Sequence, residues 1–339
     1  MREDDLDVIM SSGSLDEESC FLCGIRMGKD ATSEHVFPKW LQRRHDLGNK
    51  QLNLLNRTVI KYNQLKVPCC RKCNNEHLGR LEKRVETAFR SGYSAVKKLP
   101  QLVLYQWMGK IFYGILRKEI RLLADRSNKD SGSIIPKEYL QELLTLRMFL
   151  QSIRRPFKFK PHFPFSALVV NLHRSLAGDD YDFRDHIPGV VASLRSNGIG
   201  IIVALQDAKL VDFSFRPLLK QIRGRRLIPE QFDELFASVI YKVSLLNRTP
   251  KFITGPRGGS SKVVEVNMFP LSGLSTLPVV ADWNHEDYAK VLLAVVQRAN
   301  PAITLKDVFV PPKSVMSWLY NESGSLRLLD RHGNMLQRR

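Results

Sequence analysis

Cysteine is confined to the first quarter of this 339-residue chain, and the 266 residues after Cys73 contain none. Disulfide-stapled secreted proteins carry cysteines along their whole length, so this distribution argues against that class. All five cysteines lie between Cys20 and Cys73. In a reducing compartment, clustered cysteines favour thiolates that bind a metal. We therefore expect a metal site in the N-terminal quarter.

The chain also lacks a hydrophobic run long enough to cross a membrane. Its most apolar stretch, PQLVLYQWMGKIFYGIL, has Lys110 in the middle, whereas a membrane helix needs about 20 consecutive apolar residues. The N-terminal stretch MREDDLDVIMSSGSLDEESC is acidic and has no basic segment before an apolar one, unlike a signal peptide. We expect a cytoplasmic protein with no membrane partner.

Acidic residues are scarce relative to basic ones, with 34 Asp and Glu against 52 Lys and Arg and a formal net charge of +18. The charge is −6 over residues 1–20, +11 over residues 21–100 and +13 over the remainder. A positive field attracts polyanions, and phosphate backbones are the usual ones. The expected partner is nucleic acid, with DNA preferred over RNA. The short, Ser-rich segment 1–17 is predicted to be a disordered acidic tail.

Apolar periodicity beyond the cysteine-rich segment predicts a mixture of helices and strands. Helices are expected from Leu78 onward and over residues 102–125, 136–154, 230–246, 285–299 and 313–320. Strands are expected over residues 165–172 and 262–268 and in a hairpin that turns at Asn197-Gly198, with a further strand in KLVDFSF. This order of elements predicts an α+β fold whose larger C-terminal part contains an antiparallel meander.

The cysteine spacing predicts a structural zinc site. Cys20-x2-Cys23 and Cys70-x2-Cys73 form two knuckles, and four thiolates in two such pairs can surround one Zn²⁺ tetrahedrally. Cys69 lacks the two-residue spacing to Cys73 and is predicted to be a buried bystander. His77, one helical turn after Cys73, is a weaker candidate ligand.

A Glu-His pair in the stretch SEHVFPKW stands between the two knuckles, although a closed zinc site has no catalytic use for it. The order C-x2-C, an acid-His pair followed by a proline, a middle Asn, and C-x2-C-N resembles the zinc-bound branch of the HNH endonucleases, which belong to the His-Me finger superfamily. The resemblance covers residues 18–90. It implies an N-terminal zinc-stabilised ββα-metal domain and a metal-dependent endonuclease that hydrolyses phosphodiester bonds.

The resemblance also implies a role for each matching residue. His35 would be the general base that takes a proton from the attacking water. Glu34 and Asn74 would be ligands of a catalytic Mg²⁺ or Mn²⁺ ion, and Asn63 would be the middle Asn that orients His35. Hard oxygen donors suit such an ion, and phosphodiester hydrolysis needs an activated water and a cation.

Two positions depart from the family pattern. Glu34 is one methylene longer than the usual Asp, and Leu78 stands where some relatives carry a second ligating His. Asn75 or His77 could replace Asn74 if the helix register differs. Basic residues near the motif are candidates for contacts with nucleic-acid phosphates, and these are Arg43, Arg44, Arg71 and Arg80.

The predicted domain order is the tail, a nuclease domain over residues 18–98, a helical segment over 99–158 and an α+β domain over 159–339. The last domain is expected to supply specificity, sensing or partner binding. A role in bacterial or phage defence follows from the resemblance by analogy alone. The alternative function is a non-catalytic zinc-knuckle module that binds nucleic acid, with the C-terminal domain as a sensor or interaction module. Such a module would have no need for Glu34, His35 and Asn74 together.

Overall fold

The computed structural model describes residues 18–29, 31–120, 122–135, 143–174, 180–257, 260–273 and 276–335. The predicted acidic tail and the start of the helix predicted over residues 136–154 lie outside these ranges. The described chain is α+β with antiparallel strand pairing, as predicted. None of its helices combines the length and apolar character that crossing a bilayer requires.

The helices are interspersed with short strands along the described chain. The α-helices are α1 (Lys39–Arg44), α2 (Gly79–Ser91), α3 (Tyr93–Lys97), α4 (Gln101–Glu119), α5 (Leu144–Leu150), α6 (Leu210–Gln221), α7 (Pro229–Ser244), α8 (His285–Val296) and α9 (Leu305–Val308). A π-helical turn, Cys73–Leu78, leads directly into α2, and 3-10 turns cover Tyr62–Gln64 and Gln151–Ile153.

The strands form small sheets, the largest with four strands. They are β1 (Ala31–His35), β2 (Gln51–Asn53), β3 (Val59–Lys61), β4 (Lys66–Cys70), β5 (Phe157–Lys160), β6 (Ser166–Asn171), β7 (Tyr181–His186), β8 (Val191–Ser196), β9 (Ile199–Ala204), β10 (Phe252–Arg257), β11 (Ser260–Met268), β12 (Phe309–Val310) and β13 (Ser314–Val315). The sheet orders are β1-β4, β2-β3, β10-β11-β5, β6-β9-β8-β7 and β12-β13.

The chain divides into two compact units. The first comprises Met1–Ser91, Leu102–Lys158 and Gly255–Glu265, and the second comprises Gly92–Gln101, Phe159–Thr254 and Val266–Arg339. The helical segment after residue 102 therefore belongs with the cysteine-rich residues, whereas the sequence separated the two at residue 98.

In the first unit, α4 is buried on nearly every face and forms the centre of the core. A helix that is apolar all round is expected at such a position. The apolar spacing predicts a buried stripe of Trp107, Ile111, Ile115 and Leu122. The first three are 4% exposed or less, whereas Leu122 lies beyond the end of the helix and is only partly buried. The cysteine-rich segment is tied to this helical segment, since the amide of Gln151 donates to the carbonyl of Leu22 at 2.6 Å.

In the second unit, a four-stranded sheet contains a meander of β7, β8 and β9, with β6 paired to β9. The predicted hairpin is confirmed, because β8 and β9 pair through a turn at Asn197-Gly198. Both turn residues have positive φ, 48° and 77°, which Asn and Gly tolerate best. Helix α7 packs against this sheet in a shared apolar core.

Two predicted elements are wrong. KLVDFSF was predicted as a strand but falls largely within α6, because Val211, Leu218 and Ile222 are buried at helical spacing. Asp207 supports the start of that helix by accepting from the backbone N–H of Val211 at 2.8 Å. The helix predicted over residues 313–320 is instead the short strand β13 followed by irregular chain.

Several helix ends also differ from the prediction. The helix predicted over residues 102–125 ends at Glu119, and the following chain turns through a bridge between Leu123 and Ser133. The helices predicted from Leu78 and over residues 230–246 and 285–299 are found as α2, α7 and α8. The apolar residues that recur there at helical spacing in the sequence form a buried stripe, which consists of Leu78 at the end of the π-helical turn and Leu81, Val85 and Phe89 of α2.

Candidate metal centre and active site

Four cysteine sulfurs converge at one point of the first unit. The Sγ atoms of Cys20, Cys23, Cys70 and Cys73 all lie within 4.8 Å of one another, and within the described ranges this is the one group of its kind. Gly24, with a φ of 74°, allows the first knuckle to turn back, and its N–H donates to the carbonyl of Cys20 at 2.8 Å. The backbone therefore presents the sulfurs inward, as metal-binding knuckles do.

The separation of the sulfurs fits a zinc ion. Sulfurs at the usual Zn–S distance in a tetrahedron lie about 3.8 Å apart, and the Sγ atoms of Cys23 and Cys70 are 3.9 Å apart. Contact with Cys20 is the largest cause that raises the pKa of Cys23 and of Cys73. The four groups can all be thiolates only if a cation compensates them. The cluster could therefore hold a metal such as zinc.

Cys69 lies beside this cluster without joining it. Its side chain is fully buried on β4, and its Sγ is 3.9 Å from that of Cys20. It is absent from the four-sulfur group, in line with the prediction for this residue. His77 also lies outside the group, and its Nδ1 is 3.3 Å from a guanidinium nitrogen of Arg80.

His35 is the last residue of β1, which pairs with β4 in the register His35 to Lys66 and Ala31 to Cys70. Its imidazole is half-buried, and the side-chain amide nitrogen of Gln42 lies 3.5 Å from Nδ1. Burial, followed by the positive charges of Lys66 and Lys39, lowers the pKa of His35. The imidazole is therefore neutral near pH 7, as a general base must be.

Gln42 is a residue that the sequence did not single out. Its amide nitrogen also donates to the carbonyl of Phe37 at 2.7 Å, so its side chain is held rigidly next to His35. Gln42 belongs to α1, which packs against other aromatic side chains through Trp40. Trp40 stacks on Trp107 with ring centroids 5.8 Å apart and contacts Phe89 at 5.4 Å. Trp40 is only 7% exposed and is therefore a core residue.

Asn74 lies in the π-helical turn and faces β1. Its amide nitrogen donates to Oγ1 of Thr32 at 3.0 Å and to the carbonyl of Ser33 at 3.4 Å. Because the nitrogen binds the strand, the amide oxygen is the atom that could act as a metal ligand.

Asn63 lies in a 3-10 turn before β4, and its buried Oδ1 has no hydrogen-bond partner within the described chain. Asn63 was expected to orient His35, but the side chain that contacts the imidazole is that of Gln42.

Glu34 occupies a different environment from His35. Successive residues of a strand point to opposite faces, and Glu34 is 7% exposed on the face covered by α4. There its carboxylate forms an ion pair with Lys110, which also pairs with Glu82 at 2.8 Å. The predicted carboxylate ligand thus already has a positively charged partner.

Lys110 is a charged residue in the middle of the most apolar helix, and it is 1% exposed. Burial alone would lower its pKa, but the carboxylates of Glu82 and Glu34 outweigh burial and raise the pKa above its ordinary value. Burial raises the pKa of Glu82, and the Lys110 ammonium opposes that shift. Lys110 is therefore an ammonium ion with two carboxylate partners.

Three of the four predicted phosphate-binding arginines line clefts of the first unit. Arg43 and Arg44 line a cleft of about 250 Å³ with Arg90, and Arg71 lines one of about 470 Å³ beside the cysteine cluster. The second cleft also contains Lys72, the chain neighbour of Arg71, together with Arg26 and Arg154, which the sequence did not group because they are distant in the chain. Arg80 is exposed, and its Nε donates to the carbonyl of Glu76.

Comparison of the chain with protein-family models, with curated proteins and with solved structures finds no match.

Proposed function

We propose that the first unit is a metal-dependent endonuclease of the HNH type that hydrolyses phosphodiester bonds, with DNA as the preferred substrate. The observation that carries this proposal is the juxtaposition on one β-β-helix element. His35 ends β1, its partner β4 ends in a cysteine knuckle, and Asn74 follows in the first helical turn, bonded to β1.

In this proposal His35 accepts a proton from water as the water oxygen attacks phosphorus. The new phosphorus–oxygen bond replaces the bond to the leaving sugar oxygen, and that oxygen takes a proton from solvent water. A neutral imidazole near the end of a strand is suited to this step. Gln42, in contact with the ring, would limit its rotation.

The proposal includes two metal ions, one structural and one catalytic. A zinc ion held by the four cysteines would stabilise the fold of residues 18–91. A Mg²⁺-class ion would neutralise charge on the phosphate and the leaving oxygen. Of its two expected ligands, the amide oxygen of Asn74 fits. The carboxylate of Glu34 fits poorly, because Lys110 already compensates it.

The test is incubation of the zinc-loaded protein with supercoiled plasmid, linear duplex DNA and RNA in the presence of Mg²⁺, Mn²⁺ or EDTA. We expect cleavage with Mg²⁺ or Mn²⁺ and none with EDTA. Binding of the same substrates without cleavage under every condition would instead support the non-catalytic zinc-knuckle module.

The pH dependence of cleavage should report the environment of His35. Because burial and nearby lysines lower its pKa from the ordinary 6.5, the neutral base form persists to lower pH. The acidic limb of kcat/KM against pH should therefore have its midpoint below 6.5. A midpoint above that value would contradict the assigned base.

Nucleic-acid binding should be sensitive to salt and independent of cleavage. We expect that changing Arg43, Arg44, Arg71 and Arg80 to Ala in a His35→Ala background flattens the slope of log affinity against log salt. For every one of these arginines that binds a phosphate, its removal should reduce the slope by about one unit. The measurement is the affinity for duplex DNA across a salt series.

A matched control removes the same charge from the second unit. It carries Ala at four exposed arginines, which are Arg216, Arg223, Arg225 and Arg226. The control should leave the slope nearly unchanged. If the control flattens the slope and the first variant does not, the nucleic-acid surface belongs to the second unit.

A further inference from the structure

The end of β1 is anchored by one side chain of α4. The ammonium of Lys110 donates to the carbonyls of His35 and Val36, at 2.8 Å and 3.2 Å. One turn further along α4, Gly114 allows close approach, since a Cβ there would lie 2.9 Å from the side chain of Val36. The helix thus binds the backbone at the end of β1 through Lys110 and packs against the side chain of Val36 one turn later.

The same ammonium is held by two carboxylates. Glu34 on β1 and Glu82 on α2 both pair with Lys110. The group therefore links β1, which carries His35, to α2 and α4. All three side chains are largely shielded, with at most 21% of a side chain exposed.

From this geometry we propose that Glu34 does not bind the divalent cation but, with Glu82, holds Lys110 as the positioning residue for His35. This inference rests on the function proposed above. Lys110 acts through the carbonyl of His35, so it sets where the imidazole lies without touching the reacting atoms.

Electrostatics favour this role for Glu34 over that of a ligand. A divalent cation on this carboxylate would share it with a buried ammonium, and the two positive charges would repel each other at short range in a poorly screened environment. Removing one partner of a buried ion pair also leaves the other without compensation. We therefore assign Glu34 to the ion pair with Lys110 and not to the divalent cation.

The first experiment separates the two roles of Glu34 with Glu34→Gln. The probe is Mn²⁺, titrated by calorimetry into the zinc-loaded protein, together with the Mg²⁺ concentration that gives half-maximal cleavage. We expect both values to stay within about twofold of the parent protein. A loss of Mn²⁺ affinity of tenfold or more would identify Glu34 as a ligand and overturn the inference.

The second experiment tests the anchor with Lys110→Met, and Lys118→Met on the same helix is the control. The amide of Val36 bonds to the carbonyl of Leu65 at 3.0 Å, so its hydrogen exchange reports the end of β1. We expect exchange at Val36 to accelerate at least about tenfold in Lys110→Met. We also expect kcat to fall about 10–100-fold at saturating Mg²⁺ with KM for DNA nearly unchanged. Lys118→Met should change neither.

Exchange in Lys110→Met that equals the control would overturn the anchor, whether or not the protein cleaves nucleic acid. If Lys110→Met does not fold, the triple variant Glu34→Gln/Glu82→Gln/Lys110→Met removes the uncompensated carboxylates and provides the same measurement. Absence of cleavage by the parent protein would count against the proposed function alone. The exchange data would still show whether Lys110 anchors the end of β1.

Discussion

His35→Ala should reduce cleavage by roughly 10²–10⁴-fold, the usual contribution of a general base. The zinc content and melting temperature should stay close to those of the parent protein. The imidazole is half-buried at the end of β1, and its contact with Gln42 is long, at 3.5 Å. The side chain therefore contributes little to packing. The measurement is single-turnover cleavage of plasmid, with zinc analysis and thermal unfolding of the same preparation.

His332→Ala provides the control, because that histidine is exposed near the C-terminal end of the described chain. Its cleavage rate should match the parent rate. Parent-like turnover by a well-folded, zinc-loaded His35→Ala protein would remove His35 from the chemistry.

Cys23→Ser and Cys70→Ser should each abolish tight zinc binding and unfold the cysteine-rich part of the first unit. The bound metal is expected to be about one zinc per chain. Metal binding supplies much of the folding free energy of such small segments. Zinc analysis and circular dichroism after gel filtration would measure the loss. A native protein that contains no tightly held metal would contradict the four-cysteine site.

Cys69→Ser is the matched control for these variants. Cys69 is fully buried, like Cys20, Cys23 and Cys73, and lies next to Cys70 on β4, yet it is outside the four-sulfur group. Cys69→Ser should keep the zinc and lose only modest stability from burying a hydroxyl. If it loses zinc as readily as Cys70→Ser, the assignment of the second knuckle is wrong.

Local patterns were sufficient to predict several elements of the fold. The stripe from Leu78 to Phe89 is the buried face of α2, and Asn197-Gly198 forms the predicted turn between β8 and β9. KLVDFSF was wrongly predicted as a strand, because its short apolar alternation also fits a helical face once Leu218 and Ile222 are included. Short apolar runs do not distinguish strand from helix by periodicity alone.

The candidate site, like the fold, could be predicted from the sequence only in part. The spacing of the cysteines was enough to predict the convergence of four sulfurs. The partner of Glu34 could not be predicted, since Lys110 lies in a different helix and meets β1 only through tertiary packing. A single lysine inside an apolar helix was nevertheless a signal, because buried lysines are almost always paired.

The most direct test is cleavage of supercoiled plasmid by the zinc-loaded protein, first after EDTA has removed weakly bound cations and then after Mg²⁺ is added back. Zinc content must be measured at both stages. We predict no cleavage in the first stage and restored nicking or linearisation in the second, with the zinc retained throughout. Intact plasmid after Mg²⁺ or Mn²⁺ is restored to a folded protein would contradict the endonuclease.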